Sequence, residues 1–404
     1  MADAAPWITC QIGAREHYVL AAELHRIGRL RRLVTDRWAP PGSLAAGLPG
    51  ALGQRLADRY NPALADAPVT HFTAASMARE GRARLPGAKA GWHKIMADNA
   101  WFERRSAAAL VRGGWLDGQV KPVVFAYSYA ALGILQAAKA AGCVTVLGQI
   151  DPAVIEEEIV AALPHGNGRL ERTPPGYWPR WRQECALADH IVVNSAWARD
   201  GLVQAGIARE KLHVVPLAYA APPTPQRGPV PEVFTAARPL KVLFLGSLIA
   251  RKGIHEVIGA AGLLAGEPVE FHLVGPGGDA LRGELAGIPH VIDHGPVPRG
   301  EVPARLVAAD LFVLPTHSDG FALTQLEAQA HGLPVIASRR CGDVVQDGIN
   351  GTLLPEVSAE ALAAAVRGYL ANPGLLGTQG QAALAGLDRF SPQRVVADLL
   401  RIAG

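Results

Sequence analysis

The feature that most limits the fold of this chain is a regular alternation of short apolar runs with helical stretches. Runs such as PVVFAYS, CVTVLGQ and KVLFLGS are almost continuously apolar, which is typical of strands covered on both faces of a sheet. Stretches with helical spacing, such as YAALGILQAAKAAG, separate them. Because parallel strands need crossover connections, this alternation predicts an α/β fold with parallel sheets.

A proline-rich segment, APPTPQRGPVPEVFTAARP, divides the alternation into two halves. It holds no convincing periodic pattern, so we interpret it as an interdomain connection. A chain of 404 residues also exceeds the ~250–300 residues at which single cores stop growing. We therefore predict two doubly wound, Rossmann-like domains facing a central cleft. The predicted divisions are residues 1–220 for the first domain, 221–239 for the connection, 240–385 for the second domain and 386–404 for a final helix.

The apolar periodicity also predicts where individual helices lie. The last of them, in SPQRVVADLLRI, carries an apolar stripe that must be buried against another part of the protein. The predicted helices cover about Ala196–Ala205, Ile254–Leu264, Pro303–Ala308, Leu323–Ala330, Ala359–Leu370 and Pro392–Ile402.

Positive charge is concentrated in the first part of the chain. Residues 1–150 contain 18 Lys+Arg and 10 Asp+Glu, against 21 and 26 in the remainder. A basic segment that follows an amphipathic stretch, EHYVLAAELHRIGRL, can lie on an anionic membrane. It can equally be a solvated helix end, where cations interact favourably with the helix dipole. The arginines concerned are Arg26, Arg29, Arg31, Arg32 and Arg37.

The cysteines and the beginning of the chain bear on the compartment. The four cysteines lie far apart without a Cys-x-x-Cys pair, which argues against a disulfide framework and a zinc site. The start, MADAAPWITCQIGAREHYVL, has no basic leader, and no uncharged apolar run reaches the ~20 residues that span a bilayer. We expect a cytoplasmic protein, with peripheral contact at the inner membrane face as the option raised by the basic segment.

In doubly wound sheets, ligands bind beyond the carboxyl ends of the strands, where helix N-termini present free amides. After KVLFL come Gly246 and Ser247, and then Arg251 and Lys252 at the start of a helix. The glycine lets backbone approach a phosphate and the cations can neutralise a diphosphate, although an exposed Arg-Lys pair is commonly without function. The glycine-rich turn at 275–278 is either a base or phosphate contact or an ordinary loop.

The most informative segment follows DLFVLP and reads THSDGFALTQLE. Asp319 precedes a predicted helix, and Glu327 lies eight residues later, about two turns along it. Taken singly, Asp319 is explained as a helix N-cap and Glu327 as an exposed helix position. The neighbours of Glu327 are mostly apolar, however, which is unusual around a solvent-facing carboxylate.

Together these segments resemble the retaining GT-B glycosyltransferases, in particular family 4, the glycogen-synthase-like and mannosyltransferase-like group. The order and spacing of several motifs carry the resemblance, which covers about residues 239–355, and residues 184–217 also look like the strand and helix before the hinge in that family. The resemblance implies a GT-B fold whose last helix crosses back to the first domain. It also implies transfer of a sugar from a nucleotide-diphosphate donor to a hydroxyl acceptor, in polysaccharide, glycolipid or small-molecule glycoside synthesis. The matching motifs are KVLFLGSLIARKGIHEVIGA, FHLVGPGG, HGPVPRGEVPARLVAADLFVLPTHSDGFALTQLEAQAHGLPVIAS and CGDVVQDGINGTLLP.

The resemblance implies roles for particular residues. In the family's Glu-x7-Glu motif the second Glu holds the nucleotide ribose and the first contacts the donor sugar; these positions are Glu327 and Asp319. Lys252 matches a lysine that stabilises the departing diphosphate. The family's usual arginine is replaced by Ser247, so we expect Arg251 to compensate. The other nucleotide- and donor-binding positions are Gly246, Gly275, Gly277, Val297 and Gly320, with the amides of Phe321, Ala322 and Leu323 facing the phosphates.

The resemblance is weaker in the first half of the chain. Gly13 fits a glycine that the family commonly has in the first strand-to-helix loop, and we expect His17, opening the first helix, to face the cleft. After CVTVLG the family commonly has a histidine, where this chain has Gln149, with Asp151 two residues on. All four are candidates for the cleft, and the departures concern the acceptor and the donor sugar rather than the nucleotide.

A retaining transferase of this type needs no protein nucleophile. The resemblance implies a loose, oxocarbenium-like transition state, to which the protein contributes electrostatic stabilisation and positioning. No Asp-x-Asp pair for a divalent cation is present, so we expect metal independence, no cofactor beyond the donor substrate, and no nucleic-acid partner. His290 and His294 lie on a predicted strand and its turn, and we interpret them as structural.

Two other functions are compatible with the sequence. Sugar-nucleotide 2-epimerases and sugar phosphorylases share the two-domain scaffold, so the fold does not exclude them. A non-catalytic sugar-nucleotide sensor or assembly partner is the third hypothesis, because Asp319, Ser247 and Gln149 are the kind of departures that a loss of activity leaves. The Asp-x7-Glu spacing beside the Arg-Lys pair favours transfer.

Overall fold

The protein is described by a computed structural model that covers residues 4–83, 90–164, 172–222 and 227–404. Two parallel sheets confirm the predicted α/β class with two doubly wound domains. The strand order is β3-β2-β1-β4-β5-β6-β7 in the first sheet and β10-β9-β8-β11-β12-β13 in the second. The strands are β1 Trp7–Gln11, β2 Leu30–Thr35, β3 Val69–His71, β4 Val123–Tyr127, β5 Val144–Gln149, β6 His190–Val193, β7 Leu212–Val214, β8 Leu240–Leu245, β9 Val269–Val274, β10 Val291–Asp293, β11 Leu311–Leu314, β12 Val335–Ala337 and β13 Gly351–Leu353.

Helices connect most of the strands, and both faces of the first sheet are buried. Neighbouring strand residues enter two different cores: Val124 packs on one face, while Val123 and Phe125 pack on the other. Because the strands are buried on both faces of the sheet, their sequences are continuous apolar runs. The helices are α1 Val19–Arg26, α2 Gly50–Ala57, α3 Thr73–Arg82, α4 Gly91–Arg112, α5 Leu132–Ala140, α6 Val154–Ala161, α7 Tyr177–Leu187, α8 Ala196–Gln204, α9 Ile254–Leu263, α10 Arg282–Leu285, α11 Val302–Ala308, α12 Thr324–Ala330, α13 Ala359–Ala371, α14 Gly374–Ala385 and α15 Pro392–Ala403.

Each sheet has a switch point where the strand order reverses. β1 lies between β2 and β4 in the first sheet, and β8 lies between β9 and β11 in the second. Ligands of doubly wound sheets bind outside the carboxyl ends of the strands at such points. The loops that follow β1, β4, β8 and β11 are therefore the candidate ligand-binding loops.

The basic segment after the first helix differs from its prediction. α1 ends at Arg26 because Gly28 takes a left-handed conformation (φ 69°), with its amide bonded to the His25 carbonyl. Arg31 and Arg32 then lie on strand β2, so the arginines do not extend an amphipathic helix. They also have partners in the protein. Arg26 pairs with Glu23, Arg29 donates to Ala5, Arg31 donates to Gly114, Arg32 lies 3.9 Å from the Trp115 ring centroid, and Arg37 pairs with Glu80.

The described part of the proline-rich connection packs on the second domain. The side chain of Arg227 donates hydrogen bonds to the carbonyls of Ala309 and Gly332, and Phe234 is buried in the second core. Residues 223–226 of this predicted connection lie outside the described residues.

The last helix, α15, lies against the first domain. Its buried side chains Val395, Val396 and Leu399 share a core with Trp7 and Leu24, and α15 contacts α1 directly. The apolar stripe of the sequence is thereby covered by residues far away in the chain.

Within the described ranges, none of the helices combines the length and the apolar character needed to cross a bilayer. All four cysteines are buried and unpaired: Cys10, Cys143, Cys185 and Cys341.

Candidate functional site

The two domains meet where the loop after β11 reaches the first domain. The Ser195 hydroxyl donates to the Gly320 carbonyl at 2.9 Å, and the indole of Trp197 donates to the Ser318 hydroxyl at 3.2 Å. A Cβ on Gly320 would lie 1.9 Å from the Ile150 carbonyl oxygen, so only glycine allows this approach. The loop after β11 is thus held between the two domains at the mouth of the cleft.

The basic pair follows β8 in a short 3-10 turn, Ala250–Lys252. The Lys252 ammonium pairs with the Asp319 carboxylate, and the Arg251 guanidinium donates to the Ser318 carbonyl at 2.7 Å. Burial, assisted by Arg251, lowers the pKa of Lys252 to about 8. The structure therefore brings the Arg251-Lys252 pair and the segment around Asp319 together. Ser247, which lies on the same loop as the basic pair, is exposed.

Gly253 makes this arrangement possible. Its φ is 80°, and a Cβ there would lie 2.0 Å from the Pro315 carbonyl oxygen. The backbone after β11 also fixes the turn, because the Thr316 hydroxyl and the His317 amide both bond to the Arg251 carbonyl, at 2.9 and 2.8 Å. The turn with the basic pair and the loop after β11 form one hydrogen-bonded unit.

Asp319 is not the N-cap of the following helix. α12 begins at Thr324 and its N-cap residue is Leu323, four residues beyond Asp319. The carboxylate of Asp319 accepts a weak bond from the Phe321 amide at 3.4 Å and otherwise faces Lys252 and Arg251. The alternative of a simple helix cap is therefore wrong.

The segment before α12 presents backbone donors. Ala322 has a left-handed conformation (φ 62°), which is uncommon for a residue with a side chain. Within the described residues the amides of Ala322 and Leu323 donate to no other group, whereas the Phe321 amide is bonded to Asp319. Unpaired amides next to a basic pair form a suitable environment for an anion.

Glu327 lies in the first turn of α12 and is half-buried, which corrects the alternative of an exposed position. Burial raises the pKa of its carboxyl, and Arg299 and His331 act in the opposite direction. Its carboxylate makes no hydrogen bond to the described part of the chain. A half-buried carboxylate without a donor is suited to accept hydrogen bonds from a ligand.

The glycine turns of the second domain have a packing role. A Cβ on Gly275 would lie 1.9 Å from the Gly246 carbonyl oxygen, and one on Gly277 would lie 2.8 Å from that of Leu248. The Gly275 amide bonds to the Gly295 carbonyl, which brings the segment containing half-buried Val297 to the same edge of the sheet. Gly246, Gly275, Gly277 and Val297 thus lie along neighbouring loops.

In the first domain, Gly13 and His17 lie in the loop after β1. The Gly13 amide donates to the Asp36 carboxylate at 2.8 Å. His17 does not open a helix: it lies with Glu16 and Tyr18 in a turn in which all three have positive φ, and α1 begins only at Val19. Three consecutive left-handed residues store backbone strain, a feature found at functional sites.

Gln149 is fully buried and does not line the cleft, which corrects its prediction as a cleft residue. Its side chain donates to the Tyr129 hydroxyl and to Asp151, and accepts from the Trp181 indole at 2.9 Å. Asp151, two residues further on, is half-buried, and its carboxylate accepts the hydrogen bond from the Gln149 side chain. Gln149 is a positioning residue for Asp151 and Tyr129.

Sequence reasoning missed Glu156, at the start of α6. The Glu156 carboxylate accepts from the Ser318 hydroxyl at 2.9 Å and lies 3.5 Å from the Arg251 guanidinium, so the first domain adds an acidic group to the basic pair. Burial raises its pKa to about 7, with Arg251 acting against the rise. The signal in the sequence is the run Glu156–Glu158 within an otherwise apolar helix.

Potential metal ligands are dispersed. Among the described residues no group of three or more His, Cys, Asp and Glu side chains is arranged to hold a metal ion. His290 bonds to the Ala261 carbonyl, and His294 stacks on His272. The predicted structural interpretation of these two histidines agrees with these contacts.

The two doubly wound domains and the cleft between them form a GT-B glycosyltransferase fold, as the sequence predicted. The chain superposes on sucrose-phosphate synthase from Thermosynechococcus elongatus with a TM-score of 0.70 and 17% identity over 98% of both chains. It superposes on Anabaena HepE, solved in complex with UDP-glucose, with a TM-score of 0.64 and 17% identity over 98% of this chain and 99% of that one.

Residues 239–372 match the model of the family described as glycosyl transferases group 1. A stretch of 246 residues is 30% identical to the D-inositol 3-phosphate glycosyltransferase of Xylanimonas cellulosilytica, covering 54% of this chain and 58% of that protein. The chain spans about half the length of the curated relatives it matches. The matched residues lie in the second domain.

Proposed function

We propose that the protein is a retaining glycosyltransferase that moves a sugar from a nucleoside diphosphate sugar to a hydroxyl acceptor. The observation that carries the proposal is the meeting of Arg251 and Lys252 with the Asp319 loop, above the carboxyl ends of β8 and β11. Paired cations beside unpaired amides suit a diphosphate, and half-buried Glu327 suits the hydroxyls of a ribose. The UDP-glucose in the HepE complex supports a nucleotide sugar as the donor.

In the proposed reaction the bond between the anomeric carbon and the diphosphate oxygen breaks as the acceptor oxygen bonds to the same face of that carbon. The acceptor proton passes to the leaving phosphate oxygen, so neither a protein nucleophile nor a resident metal takes part. Lys252 and Arg251 stabilise the negative charge that develops on the diphosphate. The diphosphate would replace the Asp319 carboxylate as the partner of Lys252, which leaves Asp319 to contact the donor sugar.

Transfer is separated from the alternatives by one assay. Purified protein is incubated with a panel of UDP- and GDP-sugars, with and without sugar acceptors. Glycosyltransfer gives a new glycoside and a nucleoside diphosphate, a phosphorylase would need inorganic phosphate, and a 2-epimerase would change the donor without an acceptor. Binding of a nucleotide sugar without any turnover would favour the non-catalytic sensor.

Glu327→Gln is expected to weaken binding of the bare nucleoside diphosphate by about 1.5–3 kcal/mol, the usual contribution of a hydrogen bond to a charged group. The loss should appear mainly in KM, because the ribose is bound equally in the ground and transition states. Calorimetric titration with UDP and GDP measures it. Glu360→Gln, which changes an exposed carboxylate on α13, is the matched control. Unchanged nucleotide affinity of the Glu327 variant would remove Glu327 from the site.

We also propose peripheral membrane contact through the first domain, now on a different surface. Arg29, Arg31 and Arg32 are half-buried and have internal partners, whereas more exposed arginines lie elsewhere in the first domain. The groove between α3 and α4, with a volume of about 870 Å³, is bordered by the exposed side chains of Arg82, Arg104 and Arg105.

The Arg104→Gln, Arg105→Gln double variant should bind anionic phosphatidylglycerol vesicles more weakly. The expected loss is about 1 kcal/mol per arginine near an anionic surface, or roughly 30-fold for both at low salt. Vesicle co-sedimentation measures the loss, with Arg282→Gln on the second domain as the control. Salt-independent, equal binding to neutral and anionic vesicles would show that this surface has no membrane role.

A further inference from the structure

A second cavity adjoins the basic pair on the side of the first domain. Its volume is about 210 Å³, and most of its wall belongs to the first domain, while the second domain contributes Ile249 and Arg251. Arg251 therefore marks the end of the cavity that faces the proposed diphosphate position. We call this cavity the aromatic pocket. The residues that define it are Trp92, Tyr129, Asp151, Glu156, Tyr177 and Trp178.

Four aromatic rings form one side of the aromatic pocket. The rings of Tyr129 and Tyr177 are stacked, with centroids 5.3 Å apart and an interplanar angle of 24°. Trp92 and Trp178 meet Tyr177 edge to face, at 5.1 and 5.0 Å. Aromatic faces carry partial negative charge, which attracts the weakly positive C–H groups on one face of a sugar ring.

Two carboxylates, half-buried Glu157 and buried Glu184, hold this aromatic wall in place. Both oxygens of Glu157 are occupied, since they accept bonds from the Thr173 amide at 2.8 Å and the Trp178 indole at 2.5 Å. The fully buried carboxylate of Glu184 accepts from the Tyr129 amide at 2.7 Å and holds that residue in its left-handed conformation (φ 72°). Preorganised walls of this kind reduce the cost of ordering side chains when a ligand binds.

The aromatic pocket also presents oxygen acceptors. Oδ1 of Asp151 accepts from the Tyr129 hydroxyl at 2.5 Å and from the Ala153 amide at 2.9 Å, whereas Oδ2 makes no hydrogen bond within the described residues. Glu156 stands beside it with one oxygen on the Ser318 hydroxyl. A ring that carries several hydroxyl groups can donate to these carboxylates while its apolar face stacks on the aromatic rings.

The charge of the aromatic pocket limits what it can bind. Three carboxylates, those of Asp151, Glu156 and Glu157, line it, and Arg251 is the cation among its described lining residues. Arg251 is already bonded to the Ser318 carbonyl and lies 3.5 Å from Glu156. A phosphate group in this pocket would add negative charge to a lining in which, among the described residues, carboxylates outnumber the cation, and like charges placed together reduce affinity.

We propose that the aromatic pocket is the acceptor subsite and that it takes a single uncharged sugar or polyol ring, excluding the phosphorylated form of the same ring. The inference rests on the proposed glycosyltransferase function and deepens it by naming the acceptor class. The small volume fits one ring with its reacting hydroxyl directed toward Arg251 and the donor. The acceptor class differs from that in the name of the related D-inositol 3-phosphate glycosyltransferase, which carries a phosphate.

The test compares neutral rings with their phosphates on the same protein. Saturation-transfer NMR titrations use methyl α-D-glucopyranoside, methyl α-D-galactopyranoside and methyl α-D-mannopyranoside, each against its 6-phosphate, and myo-inositol against its 1-phosphate, in the presence and absence of UDP or GDP. We expect at least one neutral ring to bind at least ~10-fold more tightly than its phosphate at low salt. Equal or tighter binding of every phosphate, or no binding of any neutral ring, would overturn the proposal.

Variants locate the binding in the aromatic pocket. Trp178→Leu should weaken neutral-ring binding at least ~10-fold, and Trp178→Phe should lose less because a ring remains. Trp115→Leu, which changes a half-buried tryptophan that packs on Arg32, should leave ring binding unchanged. Asp151→Asn should reduce the difference in affinity between neutral rings and their phosphates. This variant provides the test if Trp178→Leu does not fold.

Failure of this inference is distinct from failure of the proposed function. Nucleotide affinity is measured in the same variants, and the pocket variants should bind UDP or GDP as the unchanged protein does. Protein that binds no nucleotide would contradict the glycosyltransferase proposal, whereas normal nucleotide binding and equal ring affinities in Trp178→Leu and the unchanged protein would reject the aromatic pocket alone.

Discussion

Replacing Lys252 with alanine is expected to lower kcat by about 10²–10³-fold, the usual effect of removing one electrostatic contact to a developing charge. The Lys252 ammonium is half-buried and pairs with the Asp319 carboxylate. Arg251 lies 3.9 Å from the same carboxylate and is the nearest cation that can move in. The Arg251→Ala, Lys252→Ala double variant should therefore lose much more activity than Lys252→Ala.

Steady-state kinetics with the best donor of the panel, together with titration of UDP and GDP, measures this effect. Lys252→Arg keeps the positive charge and should retain a larger share of kcat than alanine does. Lys139→Ala removes an exposed lysine that pairs with Asp189 on the first domain and is the matched control. If Lys252→Ala and Glu327→Gln both keep wild-type nucleotide affinity, the site assignment is wrong.

Gly320→Ala is expected to reduce kcat/KM by about 10–100-fold, because the added methyl group would lie 1.9 Å from the Ile150 carbonyl oxygen. Inserting a methyl group into a close contact costs about 1–3 kcal/mol, and each 1.4 kcal/mol is a factor of ten. The contact lies between the domains, so the substitution should hold them apart or displace the loop that carries Asp319. Nucleotide affinity should fall as well, because the displaced loop continues into the amides of Ala322 and Leu323 that are proposed to face the phosphates.

The measurement combines kinetics, calorimetric nucleotide titration and the thermal midpoint of each variant. Gly283→Ala is the matched control, because a Cβ on Gly283 meets no atom within 4 Å. A Gly320→Ala protein with unchanged kcat/KM would show that the contact between the loop and the first domain is not needed for turnover.

The second half of the chain could be predicted closely from the sequence. Helices predicted at Ile254–Leu264 and Ala359–Leu370 are found at Ile254–Leu263 and Ala359–Ala371. Their apolar residues repeat at helical spacing, and the intervening strands β11 and β12 are apolar throughout, so pattern and structure agree.

The long helix of the first half, Gly91–Arg112, shows why the remainder could not be predicted. Its buried face contains Phe102 and Leu110 but also Glu103 and Ser106, so polar residues interrupt the apolar periodicity. Glu103 is tolerated there because it pairs with Arg180 of α7. Glu184 of α7 is tolerated in the core because its carboxylate accepts hydrogen bonds from the backbone amides of Tyr129 and Ala131, which follow β4. Only the packed structure supplies these partners.

Some residues of the candidate site could likewise be predicted from the sequence, and one could not. Arg251, Lys252, Asp319 and Glu327 could be singled out because each stands at a recognisable position after a strand or in the following helix. Glu156 could not, because a glutamate in a run of three resembles a solvated helix face until the second domain is placed against it.

By itself, the sequence determined the α/β class, the parallel sheets and the residues of the two motifs, since these follow from local apolar periodicity and from the order of segments along the chain. The tertiary structure decided the rest. It gave the basic segment at 26–37 internal partners, buried Gln149 behind Asp151, and brought Glu156 within 3.5 Å of Arg251. These outcomes depend on contacts between residues far apart in the sequence, and side-chain burial and pairing are properties of the packed chain.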